Sequence, residues 1–167
     1  MTATVEAGTT IPCPPTPGEP WSRAAERAVA AELTRRGYET ELRSPRAHGG
    51  DIWVRRTDGW SIIEVRSVTT GPTPHFDVDR GLKVHRRLLA SEHAQGGIVV
   101  VYVKVDTDAK TAVVTAERGE IFECLARRAA DAWLNDPEAT RERNRCFFPL
   151  DLDDLDNFDG VFPGGGR

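Results

Sequence analysis

The chain is poor in the features that most often announce a function. It has three cysteines, Cys13, Cys124 and Cys146; they are odd in number and too scattered for a metal knuckle, so they read as reduced thiols. No apolar stretch approaches the roughly 18 residues of a membrane span, and no membrane partner is expected. The N-terminus has no basic region followed by an apolar one, so no secretory signal is read and a cytoplasmic location follows by default. A Gly-rich phosphate loop, a serine-nucleophile motif, a cysteine–histidine pair and an internal repeat are all missing. His48, His75, His85 and His93 lack metal-ligand spacing.

What remains has the composition of one ordinary globular domain. The chain has 167 residues, of which 39% are hydrophobic and 29% charged, enough for one core. The net charge of -4 argues against nucleic acid only until it is divided along the chain. Residues 21–104 hold 14 Lys and Arg against 10 Asp and Glu, so that segment is +4 and the remainder -8. Part of the acidity is the run Asp151, Asp153, Asp154, Asp156 and Asp159, read as a flexible acidic tail over 151–167 ending in glycines. Such a tail either solubilises or mimics a polyanion over a basic site.

Residues 1–20 carry five prolines from Pro12 to Pro20 and read as a disordered Pro-rich leader. The domain is placed at 21–150. Ser22 is a candidate cap for a helix running to Arg36, with Gly37 as its stop. A short strand is expected at Tyr38–Arg43, and the loop from Ser44 to Gly50 leads into Asp51. A second helix is expected from Arg80 to about His93, with Arg80, Lys83, Arg86 and Arg87 making a basic face. Ile98–Val103 is a continuous apolar run that reads as a central buried strand. Another strand is expected at Thr111–Thr115, then a helix through Ile121 and Trp133, with Phe147 and Phe148 docking on the core. Helices able to cover a mixed sheet make this an α/β domain.

Asp58-Gly59 lies between two β-rich runs and is a preferred two-residue hairpin turn. With Thr57 opposite Trp60, Asp51 faces Arg66, Trp53 faces Glu64 and Ile52 faces Val65. Because side chains alternate with period two, one face carries Asp51, Trp53, Glu64 and Arg66. The other is apolar, with Ile52, Val54, Ile63 and Val65. The charged face is either a solvated surface or a place where two carboxylates meet over a metal ion. Trp53 and Trp60 flank that face and either stack on bases or, for Trp60, pack near the turn. Glu26 adds a third acid. It shares the spacing i, i+3, i+4, i+7 with Val29, Ala30 and Leu33, so it falls on the packed stripe of the first helix. A carboxylate there needs an arginine or a metal nearby.

The text Ala25-Glu26-Arg27, Gly49-Gly50-Asp51-Ile52-Trp53-Val54 and Ile62-Ile63-Glu64-Val65-Arg66 resembles the PD-(D/E)XK nuclease superfamily over about residues 21–104. Two branches are especially similar: archaeal Holliday-junction resolvases and a bacterial family of uncharacterised endonuclease-like proteins whose third strand can end in Glu-Val-Arg. The resemblance implies a restriction-endonuclease-like mixed β-sheet flanked by helices, in the order αβββαβ plus a C-terminal strand and helix. It implies that Asp51, Glu64 and the Val65 carbonyl hold Mg2+ or Mn2+, with Glu26 contributing directly or through water. The implied activity is metal-dependent endonucleolytic hydrolysis of DNA phosphodiester bonds. Arg66 departs from the lysine of the pattern: a guanidinium cannot act as a base, but it can orient water or stabilise charge. Lys83 is the candidate to replace the missing ammonium. Arg43, Arg46, His48, Arg80, Lys83 and Arg87 are the expected DNA contacts, and a homodimer is admitted. The alternative is an inactive nuclease-fold protein that binds nucleic acid or a protein partner, with Arg66 paired to Asp51 in place of the metal.

Overall fold

The computed structural model describes residues 8–47, 50–69, 75–77, 97–118, 147–149 and 156–164. The first long element is helix α1, Trp21–Arg35. Its Ala-rich face lets Ala24, Ala25, Ala28, Val29 and Leu33 lie close against the sheet, where they are buried. Ser22 is not its cap. Pro20 takes that position in an extended conformation, and its carbonyl accepts the amides of Arg23 and Ala24. Proline has the fixed φ and needs no amide partner there, so it starts the helix without a side-chain cap. Gly37, with φ of +96°, turns the chain out of the helix.

Strands β2 (Thr40–Leu42), β3 (Ile52–Arg56) and β4 (Gly59–Val68) form an antiparallel meander. Strand β6 (Ile98–Asp106) then lies parallel to β4, and β7 (Thr111–Arg118) antiparallel to β6. The sheet order is β1-β7-β6-β4-β3-β2, where β1 is Thr9–Pro12. The chain is thus an α/β protein built on one mixed sheet. A separate two-stranded sheet pairs β5 (His75–Asp77) with β8 (Phe147–Pro149). The Phe147–Phe148 run, expected on the core, therefore belongs to a strand outside the main sheet. The expected helices at 80–93 and beyond Ile121 lie outside the described residues. Among the described residues no helix is long and apolar enough to cross a membrane.

The hairpin register differs from expectation by two residues. Arg56 pairs with Gly59 and Ile52 with Ile63, so the turn is Thr57–Asp58, and Gly59 opens β4 with φ of +119°. The left-handed freedom of that glycine is used one residue later than the sequence pattern suggests. A shift of two leaves every side chain on its expected face. Ile52, Val54, Ile63 and Val65 pack under α1 with Val99, Val101, Val103 and Val114. Strand β6 is buried on both sides from Val99 to Val103, as a central strand of aliphatic residues should be.

Parts of both terminal segments, residues 9–20 and 156–163, are built into the fold. Strand β1 pairs with β7, Ile11 is 2% exposed and Cys13 fully buried. The Cys13 amide donates to the Lys110 carbonyl, and Arg27 is ion-paired with Glu19, whose carboxyl it holds down at about 2. Alternate burial of Ile11 and Cys13 outweighs the prolines around them, because an edge strand tolerates proline where no ladder bond is needed.

Residues 156–163 of the acidic segment are likewise docked. Strand β9 (Asp156–Asn157) pairs with β7, and a single helical turn, α2 (Phe158–Val161), carries Phe158 and Val161 into the core beside Phe162. Buried Arg36 binds it through Asp159 and the Phe162 carbonyl, while Arg56 donates to the Val161 carbonyl and Tyr38 to that of Pro163. The burial of two phenylalanines offsets the ordering cost that the neighbouring aspartates alone would not meet.

Candidate active site

Asp51 stands where β3 begins, and its backbone is pinned from two sides. Its carbonyl accepts the Arg43 amide from the β2 side, and its amide donates to the Ile63 carbonyl of β4. Gly50, at φ of +91°, makes the bend possible; a Cβ there would collide with Ile62 Cγ2. Beyond the end of β3 the Val65 amide has lost its strand partner, and Asp51 Oδ2 accepts it at 2.8 Å. In a strand the amide and carbonyl of one residue point to the same edge. The Val65 carbonyl therefore also faces the side where Asp51 sits.

Extending the β2–β3 register by one residue places Arg43 beside Asp51, and period-two alternation puts Glu64 on the same face of the sheet. The sequence pattern sets Asp51 opposite Arg66; in the structure the ladder ends at Ile52–Ile63, and Asp51 bonds instead to the Ile63 carbonyl and the Val65 amide. The two-residue shift carries Arg66 one step further along β4. Glu64 is 7% exposed. Its Oε1 is 2.8 Å from Arg66 Nη1, so the arginine pairs with Glu64.

Two guanidinium nitrogens at this corner, Arg66 Nη2 and Arg43 Nε, are buried without a hydrogen-bond partner among the described residues. Arg43 Nη1 is paired with Glu41, and its guanidinium lies 4.0 Å over the Trp53 ring. A buried donor left without an acceptor costs about 1–3 kcal/mol. The corner thus holds two acids and two donors suited to anionic oxygen.

Glu26 sits at the edge of the packed stripe and is ion-paired with Arg23 at 2.7 Å. The same Arg23 nitrogen donates to the Arg43 carbonyl at 2.9 Å. Glu26 is therefore linked to the Asp51 corner through one arginine and one strand. The fully packed acid of α1 is Glu32, ion-paired with Arg35 and Arg36. The i, i+3 and i, i+4 spacings that produce these pairs are visible in the sequence; the role of Arg23 as a bridge is not, because its second partner lies twenty positions away.

Arg46 is exposed in the turn before Asp51. His48, Arg80, Lys83 and Arg87 lie outside the described residues. Among the described residues no group of three or more His, Cys, Asp and Glu side chains is placed to hold a metal ion. The donor chemistry at Asp51, Glu64 and the Val65 carbonyl is hard oxygen throughout, which suits Mg2+ or Mn2+. No protein-family model matches the chain, and no curated protein matches it.

Proposed function

We propose that this chain is a metal-dependent endonuclease of the restriction-endonuclease-like PD-(D/E)XK type that hydrolyses phosphodiester bonds of DNA. The observation that carries the reading is the Asp51 corner: Asp51 is locked onto the Val65 amide, Glu64 lies on the same face of the sheet one residue before Val65, and the Val65 carbonyl faces the same edge. The order helix, three-stranded meander, then a strand parallel to the third supports the same family reading.

Asp51, Glu64 and the Val65 carbonyl would hold Mg2+ or Mn2+. Bound there, the ion supplies Lewis-acid activation of water and of the phosphate. The protein's own residues do the rest. Hydrogen bonds on both sides of Asp51 fix its carboxylate, so little reorganisation is needed when substrate binds. Arg66, always protonated, cannot take a proton from water; its buried Nη2 donates to a phosphate oxygen and stabilises the charge that develops there. Arg43 offers a second donor from the neighbouring strand, which positions the backbone rather than reading sequence.

The ion pair between Arg66 and Glu64 favours a second reading, in which the arginine stands in for the metal and the fold binds nucleic acid or a protein partner without cutting. One assay separates the two. Full-length protein is incubated with plasmid, single-stranded and branched DNA in Mg2+ and in Mn2+, beside Asp51→Asn and Glu64→Gln. The nuclease reading expects cutting by the wild type that each substitution abolishes. Cutting that survives both substitutions, or none by any form, overturns it.

A further inference from the structure

On the face that carries Glu64 and Arg66, a run of four side chains leads away from Asp51. Arg43 lies over Trp53 at 4.0 Å, the Trp53 and Trp60 rings are 6.4 Å apart and tilted by 52°, and Arg55 lies 5.6 Å from the Trp60 ring. The register makes the run: Arg55 pairs directly with Trp60, while Trp53 is diagonal to Trp60 across the hairpin. The order is cation, indole, indole, cation. It starts at Arg43, beside Asp51, and ends at the Thr57–Asp58 turn.

Phe158 and Phe162 are fully buried, while Trp21 and Tyr38 are partly buried against the core. Trp53 and Trp60 are half-buried and Arg55 is exposed. Arginines also lie over the buried rings of Phe158 and Phe162; what sets the pair at the turn apart is that Trp60 and Arg55 keep solvent exposure. The charges nearby nearly cancel, since Glu41 pairs with Arg43 and Asp58 lies at the turn beside Arg55. Charge alone therefore gives little attraction, and stacking must supply most of it.

We infer that this run is a stacking platform for unpaired nucleotides of single-stranded DNA, which delivers a strand to the Asp51 corner. The inference rests on the nuclease reading for its consequence, namely that the substrate has single-stranded or splayed character. Bases present a π-face whatever their sequence, and arginines on the same strip take the phosphates between them. Duplex DNA hides its base faces and offers mainly phosphates and groove edges, which would engage the arginines and leave the indoles idle.

The test is fluorescence anisotropy with labelled oligothymidylate and a duplex of equal length, using full-length protein in EDTA so that nothing is cut. Single strand is expected to bind at least about tenfold more tightly than duplex. Trp60→Ala should weaken single-strand binding about tenfold, a loss typical of one stacked base, while Trp60→Phe keeps most of it. The salt dependence should be shallow, with a log–log slope of about -1 to -2, because each phosphate contact on a single strand contributes roughly -0.7.

Equal affinity for the two DNA forms, or Trp60→Ala binding like wild type, overturns the inference. Should Trp60→Ala fail to melt cooperatively, exposed Arg55→Ala decides, with a severalfold loss expected for single strand and no loss overturning the platform. Binding without cutting would sink the nuclease reading and leave the platform standing; cutting that depends on Asp51 with no preference for single strands would do the reverse.

Discussion

Asp51 Oδ2 accepts the Val65 amide at 2.8 Å, so the carboxylate proposed for catalysis also completes the hydrogen bonding of β4 where β3 stops. Asp51→Ala should therefore lose stability as well as cutting, by about 1–3 kcal/mol for the orphaned amide. Asp51→Asn keeps an acceptor oxygen and should lose cutting with a stability change under about 1 kcal/mol. Urea denaturation of the two variants beside a plasmid assay checks the split; equal destabilisation would show that the hydrogen bond contributes nothing.

Gly50 should tolerate no side chain. Its φ of +91° and the collision of a Cβ with Ile62 Cγ2 mean that Gly50→Ala must shift the bend that aims Asp51. We expect a loss of about 2 kcal/mol or more, read as a lower denaturation midpoint. A neutral result would show that the bend is formed differently.

On the proposed function, Arg66 and a divalent cation would compete for Glu64. Replacing the arginine with Met should tighten Mn2+ binding, measured by calorimetry, while lowering cutting about a hundredfold through loss of the charge beside the phosphate. The two readouts moving in opposite directions is the signature. Weaker Mn2+ binding in Arg66→Met would contradict the assignment of Glu64 as a ligand.

Acid should unfold the protein partly through Glu32. The Arg35 guanidinium, and after it Arg36, hold its carboxyl at about 2 against the opposing effect of burial. A carboxyl lowered in the folded state stabilises the fold fully above its ordinary value of 4.5, and that contribution fades as pH falls toward 2. Glu32→Gln should flatten the pH dependence of the urea midpoint between those values. Arg36→Ala should be costlier, about 3 kcal/mol, because it leaves a buried partner behind. An unchanged acid limb in Glu32→Gln would remove Glu32 from the account.

Phe162 anchors the C-terminal segment from a fully buried position under Arg56 and beside Tyr38. Phe162→Ala should cost about 4 kcal/mol, as expected for a large core truncation. Guanidinium denaturation measures it, and a loss below about 1 kcal/mol would mean that the segment is only loosely seated.

How much of this was legible follows from how local each signal is. Period-two alternation around Asp51 and Glu64 assigned the faces correctly, because a register error of two residues changes neighbours but not faces. It could not tell that Asp51 would bond to Ile63 and Val65 rather than face Arg66, since that depends on which residues close the turn. The Ala-rich stripe of α1 and the Ile98–Val103 run were equally readable. In the described parts of both terminal segments composition concealed short apolar patterns: prolines hid the alternation of Ile11 and Cys13, and aspartates hid Phe158, Val161 and Phe162. In each case a few apolar residues at the right spacing outweighed the average character of the segment. The unmatched donors of Arg43 and Arg66 are tertiary facts, with no counterpart in any short stretch of sequence.

The outer edge of β7 is closed by two short strands end to end, β1 along Thr111–Val114 and β9 along Thr115–Ala116. One of these comes from near residue 10 and the other from near residue 157, so β7 draws its neighbours from on the order of a hundred residues upstream and forty downstream. Contacts of such long range form late. During synthesis β7 must therefore wait with part of its edge unpaired until the Asp156–Phe162 stretch has left the ribosome. Ribosome-nascent chains halted before and after that stretch should differ sharply in protease resistance.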